Sequence, residues 1–255
     1  LFIITKEQRD WKVFNLYNKS LPPEDVFIPL PELTAAKFLE RKNRFVGLVD
    51  VAGQASPAHV PSSGRMRELL FPGNTVYVAP MPAGKRTQYR IHLARYGETL
   101  VSVDSLLPNR LIYKSLLQQA LAQFRGYRDI KREVSCGASR LDLYLEDGAR
   151  RCFIEVKSVT LVEDGGVARF PDAPSARGKK HLQELVRTLD DGFRAAVIFV
   201  VQRNDARVFS PNLATDPLFS EELHRAAAAG VDIYALGCSV SRQAVGLQKY
   251  LPVAL

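Results

Sequence analysis

The rhythm of apolar and polar positions changes close to residue 108. Before that point the apolar residues come in short runs, "RFVGLVDVA", "SPAHV", "NTVYVAP", "TQYRIHLARY" and "TLVSVDS", separated by clusters of Gly, Pro and Ser. Short runs bounded by turn residues predict strands. Five of them within about seventy residues predict a small β-barrel, for which the five-stranded OB-fold is the natural candidate. Beyond residue 108 helices and strands alternate. In "RLIYKSLLQQALAQF" the residues Ile112, Leu116, Leu117, Ala120, Leu121 and Phe124 mark one face of a helix that ends before Gly126. "IKREVS", "RLDLYLE" and "RCFIEVKS" read as strands, the last two joined through "EDGAR", whose Asp-Gly is a strong turn signal. A loop rich in Gly and Pro, "EDGGVARFPDAPSARG", leads into the helix "KKHLQELVRTL". The run "AAVIFVVQ" is apolar throughout, as a strand covered on both faces should be. A helix from Pro217 to Ala229 and the strand "VDIYALGC" complete a mixed sheet flanked by helices. The expected class is α+β in two domains, a barrel over residues 41–108 and a helix-flanked sheet over 109–255. Residues 1–40, which include the Pro-rich "LPPEDVFIPLPEL", fit neither half and read as an extension of unsettled role.

Charge adds a partner to this outline. The chain carries a formal net charge of +8, and residues 41–108 hold nine Lys or Arg against four Asp or Glu, so more than half of the excess sits on the barrel. Clustered cations favour a polyanion because each phosphate contact releases counterions. Phe45, Tyr77, Tyr89 and Tyr96 interleave with Arg44, Lys85, Arg86 and Arg90. Aromatic stacking with cationic tracking is how OB-folds hold nucleic acid, although each ring taken singly fits core packing better. No apolar stretch approaches the roughly 20 residues of a membrane span, and "LFIITKEQRD" turns polar too early for a secretory segment. A cytoplasmic protein without membrane contact is expected. The three cysteines show no CxxC spacing, which argues against a disulfide framework or a zinc ribbon. No G-x-G-x-x-G or P-loop is present, so a nucleotide cofactor has no motif.

Within "RLDLYLEDGARRCFIEVKS", residues 140–158, the charges Asp142, Glu155 and Lys157 stand inside two apolar runs. Side chains alternate along strands, so Glu155 and Lys157 share a face, and a hairpin turning at Asp147-Gly148 brings Asp142 beside Glu155. Two carboxylates with the Val156 carbonyl offer hard oxygen ligands to Mg²⁺ or Mn²⁺. A water activated by such an ion and oriented by Lys157 is the nucleophile that phosphodiester hydrolysis needs. The helix before the hairpin offers no further acid, and Glu133 on the next strand is the candidate substitute. Surface salt bridges worth about 0 to 1 kcal/mol would leave the same trace in the sequence. His181 follows Lys179 and Lys180 at a helix start, where backbone N–H groups suit a phosphate.

The blocks "AHVPSSGRMRELLFPGNTVYVAP", "VDSLLPNRL", "EVSCGASRLDLYLEDG", "CFIEVKSVTL" and "ARFPDAPSARGKKHLQEL", in this order, resemble the sugar fermentation stimulation protein A family over about residues 42–240. The D-x12-E-x-K pattern with its hairpin is similar to the PD-(D/E)xK nuclease superfamily. The resemblance implies an N-terminal OB-fold joined to a restriction-endonuclease-like (PD-(D/E)xK) domain, with DNA binding as the attributed activity. Asn109, Glu133, Asp142, Glu155, Lys157, Asp172 and Glu184 are among the matching positions. The family's usual Pro-Asn-Thr-Gly stands here as Pro61-Ser62-Ser63-Gly64. Candidate DNA contacts are Arg44, Arg65, Lys85, Arg86 and Arg90 on the barrel and Arg110, Arg140, Arg169, Arg177, Lys180 and His181 on the second domain. With no recognition helix or zinc finger in view, little sequence specificity is expected. Two readings stay open, a metal-dependent nuclease and a non-catalytic DNA-binding regulator of sugar metabolism that keeps the nuclease fold.

Overall fold

A computed structural model describes residues 26–255; the first 25 residues of the N-terminal extension lie outside the described part. The remainder of that extension belongs to both domains. Strand β1 (Phe27–Pro29) pairs antiparallel with the last strand of the C-terminal sheet, and β2 (Thr34–Asn43) is a long strand of the barrel. The barrel therefore begins at Thr34 rather than at residue 41, and the stretch from Pro29 to Leu33 joins it to the second domain.

The barrel continues with β3 (Val46–Val51), β4 (Gln54–His59), β5 (Thr75–Pro80), β6 (Tyr89–Tyr96) and β7 (Thr99–Ser102). The strand order is β4-β3-β2-β5-β6-β7, and a parallel pairing of β4 with β6 at Ala58 and Tyr89 closes a ring of five strands. The closed ring uses β2, and "TLVSVDS", expected as a ring strand, is instead a sixth strand attached to β6. Phe38, Val49, Met66, Leu69, Val76 and Ile91 fill the interior. Gly47 permits this packing, since a Cβ there would lie 2.7 Å from the Phe38 ring. The β3–β4 hairpin turns through Ala52 and Gly53, both at positive φ, the geometry a tight two-residue turn requires.

The second domain opens with α1 (Leu107–Leu117), followed by a 3-10 turn at Ala122–Phe124. The sequence periodicity runs on to Phe124, yet the helix stops earlier because Gln119 takes a left-handed φ of 53°. Its side-chain amide donates to the Tyr127 carbonyl and accepts from Gly126 N–H, while Ala120, Leu121 and Phe124 still reach the core. Next come β8 (Asp129–Cys136), β9 (Ser139–Asp147), β10 (Arg150–Val159), β11 (Val162–Glu163) and β12 (Val167–Phe170). They lead to α2 (Ala176–Asp190), β13 (Arg194–Val201), β14 (Val208–Pro211), α3 (Pro217–Ala229), β15 (Asp232–Val240) and β16 (Ala244–Leu251).

Seven strands form a mixed sheet in the order β1-β16-β15-β13-β10-β9-β8, with β10, β13 and β15 parallel. Central β13 buries Ile198 and Val200 against the α1 side and Val197, Phe199 and Val201 against α2 and α3, as its unbroken apolar run requires. β11, β12 and β14 make a small separate sheet, and β12 lies inside the stretch expected as loop. The two covering helices start from a shared cap. Ser175 Oγ accepts from Gly178 N–H at the start of α2, and Asp216 accepts from Phe219 N–H at the start of α3 and from Ser175 N–H.

The domains meet on a hydrogen-bonded seam. Gln202, fully buried, accepts from Ser102 Oγ at 2.8 Å and donates to the Asp104 carbonyl at 3.1 Å and to Ser158 Oγ at 2.8 Å. Its backbone carbonyl accepts from Ser102 N–H. The Arg203 guanidinium stacks on Tyr96 and that of Arg242 on Tyr77, each from the second domain onto the barrel. Removing the Gln202 amide leaves several buried groups without partners. Gln202→Ala is expected to lower the urea-unfolding free energy by about 2–4 kcal/mol, and a loss within experimental error would show that the seam does not hold the domains.

Candidate catalytic and nucleic-acid site

The site grows from the β9–β10 hairpin. Phe153 faces Tyr144 and Ile154 faces Leu143, and continuing that register places Asp142 opposite Glu155. The backbone ladder ends at Ile154, and beyond it the Asp142 carboxylate takes the place of a strand carbonyl, Oδ2 accepting from Val156 N–H at 2.8 Å. Alternation along the strand puts the Val156 carbonyl on the same edge. The other Asp142 oxygen accepts from Asn109 Nδ2 at 2.6 Å, which α1 brings in from its first turn.

Glu155 is 3% exposed. Its Oε1 accepts from Lys157 Nζ at 2.6 Å and is bonded to His181 Nδ1 at 2.5 Å. His181 Nε2 faces Arg177 Nε at 3.2 Å, and since arginine can only donate, the ring hydrogen belongs on Nδ1 and points at Glu155. Arg177 and His181 stand one helical turn apart on α2, so an arginine-histidine-glutamate chain fixes the carboxylate from behind. Glu155 Oε2 is buried and has no hydrogen-bond partner. One oxygen is thus saturated and the other bare.

The two carboxyls differ in acidity for physical reasons. Burial, then the Glu155 charge, pushes Asp142 from 3.8 up to about 6, against the opposing pull of Val156 N–H, Lys157 and Asn109. Burial would raise Glu155 as well, but Lys157 and His181 outweigh it and hold that carboxyl below its ordinary value. A bare buried oxygen beside a second carboxylate, both hard donors, fits a divalent cation of the Mg²⁺, Mn²⁺ or Ca²⁺ kind. Among the described residues no group of three or more His, Cys, Asp and Glu side chains gathers around one point, so a backbone carbonyl such as that of Val156 or solvent would complete the ligand set.

The sequence-derived candidates divide. Asp142, Glu155, Val156 and Lys157 come together as expected. Glu133 falls in the same row by register, opposite Asp142, but its φ of 55° breaks the strand there. Its carboxylate turns outward to an ion pair with Arg140, 3.3 Å away. The structure therefore sets Glu133 apart from the pair, and Arg140 is tied to Glu133 as well. His181, expected as a surface phosphate contact, is 5% exposed and serves Glu155. It lies in the second turn of α2, since the helix begins at Ala176 rather than at Lys179. Arg44, Arg65, Lys85, Arg86 and Arg110 are exposed. Arg90 is paired with Asp104, Arg169 with Glu163, and Lys180 donates to the Ala138 carbonyl. Asn109 and the Arg177–His181 pairing were missing from the expected catalytic set. The spacing of four between Arg177 and His181 was the available signal.

Asp142 also sets a cost. Its folded-state pKa lies above the unfolded value, so the stability it contributes is fully present below about pH 4 and is lost as pH rises through 6. Above that range the ionised, half-desolvated carboxylate opposes folding. Asp142→Asn is expected to raise the unfolding free energy at pH 8 in EDTA by on the order of 2 kcal/mol, with the gain vanishing at pH 4. An equal effect at both pH values would contradict the assigned electrostatics.

Comparisons with known proteins bear on the family and the fold. The model for the sugar fermentation stimulation protein RE domain matches residues 106–244, and that for the SfsA N-terminal OB domain matches residues 39–103. A sugar fermentation stimulation protein homolog from Desulforamulus reducens is 63% identical over 231 residues, covering 91% of this chain and 96% of the relative. The homolog from Moorella thermoacetica is 46% identical over 224 residues, covering 86% and 96%. The solved structure of Pyrococcus furiosus SfsA in complex with Ca²⁺ superposes with a TM-score of 0.82 at 33% identity, covering 89% of this chain and 98% of that one. No helix among the described residues is long and apolar enough to cross a membrane. An OB barrel followed by a restriction-endonuclease-like mixed sheet, matched along its length by these relatives, places the chain in the sugar fermentation stimulation protein family.

Proposed function

We propose that the protein binds nucleic acid and hydrolyses phosphodiesters at Asp142, Glu155 and Lys157 with the help of a divalent cation, in the manner of PD-(D/E)xK enzymes. The observation that carries this reading is the asymmetry of Glu155. A buried carboxylate held by Lys157 and His181 on one oxygen, with its second oxygen bare, is costly to maintain unless a ligand takes that oxygen. Ca²⁺ in the Pyrococcus furiosus relative supports a cation of the same oxygen-seeking class here. Glu155 Oε2, an Asp142 oxygen and the Val156 carbonyl would hold it.

When bound, such an ion supplies Lewis acidity and a lowered pKa for nearby water. The chain's own residues do the rest. Asn109 and the Val156 N–H orient Asp142, and His181 orients Glu155. The Lys157 ammonium, 11% exposed, can exchange part of its contact with Glu155 for the non-bridging oxygens of a phosphate, where negative charge grows in the transition state. The basic barrel supplies affinity that depends on phosphate rather than on sequence.

Two measurements test this. Glu155→Gln is expected to weaken Mn²⁺ binding in calorimetry by at least the roughly tenfold that loss of even an outer-shell partner costs; unchanged binding would move the ion elsewhere. Lys157→Ala is expected to abolish metal-dependent cleavage while reducing nucleic-acid affinity by no more than one phosphate contact, because the interaction is realised mainly in the transition state. Cleavage that persists in Lys157→Ala, or wild type that cleaves no DNA or RNA, would favour a regulator that binds without turnover.

A further inference from the structure

A cleft of about 460 Å³ runs between the barrel and the second domain, beside the site just described. One wall is Arg44 with the barrel loop Ser62–Gly64, and the other is the end of β10 from Val156 onward with the segment from Arg169 to Arg177 that leads into α2. We propose that this cleft takes a single unpaired polynucleotide strand, DNA or RNA, and that a duplex is excluded from it. The inference rests on the phosphodiesterase reading and names the substrate form for the same site.

The walls are fixed to one another. Met66 N–H, from the barrel, donates to Asp172 Oδ2, from the second domain, at 3.1 Å. A Cβ on Gly64 would lie 2.8 Å from the same oxygen, so the loop is already in contact with the opposite wall. Arg41 braces the loop from behind, donating to the carbonyls of Arg44, Ser62 and Arg65. Together with the buried Gln202 seam, these bonds oppose any parting of the domains wide enough for a duplex. The volume is that of a pocket for one small-molecule-sized unit, about a nucleotide or two.

The chemistry of the lining suits a phosphate backbone. Arg169 is paired with Glu163 and Lys157 with Glu155, and Asp172 adds a negative charge, but Arg177 and the exposed Arg44 leave the lining with more cations than anions, and the N-terminal turn of the fifteen-residue α2 opens onto it at Ala176. An exposed aromatic residue follows the wall residue Arg44 in the chain. Of the four barrel aromatics that interleave with basic residues, Tyr77 and Tyr96 are covered by Arg242 and Arg203, and Tyr89 packs against the barrel core. Phe45 alone among them is 47% exposed with no such cover from the described residues, and it directly follows the wall residue Arg44. Its backbone is pinned, N–H to Asn43 Oδ1 and carbonyl to Val60 N–H and His59 Nδ1. An exposed ring on a pinned backbone, one residue from the cleft wall, is a surface on which an unpaired base can stack and a base inside a duplex cannot.

The test is fluorescence anisotropy in EDTA with labelled oligothymidylate, oligouridylate and a duplex of equal length, on wild type, Phe45→Ala and Ser63→Glu. Both substitutions are at exposed positions, and circular dichroism confirms folding. Wild type is expected to bind at least one of the single strands about tenfold more tightly than the duplex, and Phe45→Ala to remove about 5- to 100-fold of that affinity while changing duplex binding by about twofold or less. Ser63→Glu, which adds a negative charge to the wall, is expected to weaken single-strand binding as well. Duplex binding that equals or exceeds single-strand binding, or single-strand affinity unchanged in either variant, overturns the cleft assignment. Lys157-dependent cleavage confined to duplex would overturn it too, and would leave the phosphodiesterase reading standing. Absence of binding to every polynucleotide overturns both.

Discussion

Glu155 holds a charge where water scarcely reaches, and much of the second domain is arranged around that fact. An isolated buried carboxylate is costly and neutralises unless partners hold it ionised. Lys157 can serve only from the same face of β10, two residues on, and His181 only if α2 starts early enough to bring its second turn over the strand. The cap at Ser175, tied to Asp216, sets that start. Asp142 then cannot ionise freely beside an anion already present, and it relies on Val156 N–H and Asn109 instead. The proposed cation would relieve the repulsion between the carboxylates and use the bare oxygen at once.

The barrel is part of this arrangement rather than an appendage. Arg203 is fully buried yet bonded to Asp205 by both ends of its guanidinium, and its flat face rests on Tyr96. A buried pair of this kind gives little net stability but penalises other arrangements, because parting it leaves an uncompensated charge. Gln202 acts similarly through neutral hydrogen bonds. The barrel and the hairpin carboxylates are thereby held in one geometry, as the proposed presentation of a strand to a reactive centre would need.

Much of this was legible in the sequence, and what was not has identifiable causes. The unbroken apolar run of β13, the Asp-Gly turn and the alternation around Asp142 and Glu155 are local signals, and local signals carried over well. The ring strand β2 was missed because "TAAKFLERKN" lies next to a Pro-rich stretch and carries few β-branched residues; its place is set by pairing with β3 and β5. The early end of α1 depends on a tertiary use of Gln119 that helical periodicity cannot reveal. Glu133 stands in the row that register dictates, yet one left-handed residue turns it away, and a non-glycine residue with positive φ leaves no mark in an alternating pattern. His181 was assigned to the surface because two lysines precede it. A helix face is read from spacing of three and four, and that spacing joins it to Arg177 instead.

The most direct measurement is anomalous diffraction from a crystal of the protein soaked in Mn²⁺. A peak within coordination distance of Glu155 Oε2 and an Asp142 oxygen, with the His181 and Lys157 bonds to Oε1 retained, is the predicted result. A peak that excludes Glu155, or no peak in a crystal where both carboxylates are ordered, would contradict the assignment of this pair as the metal-holding centre.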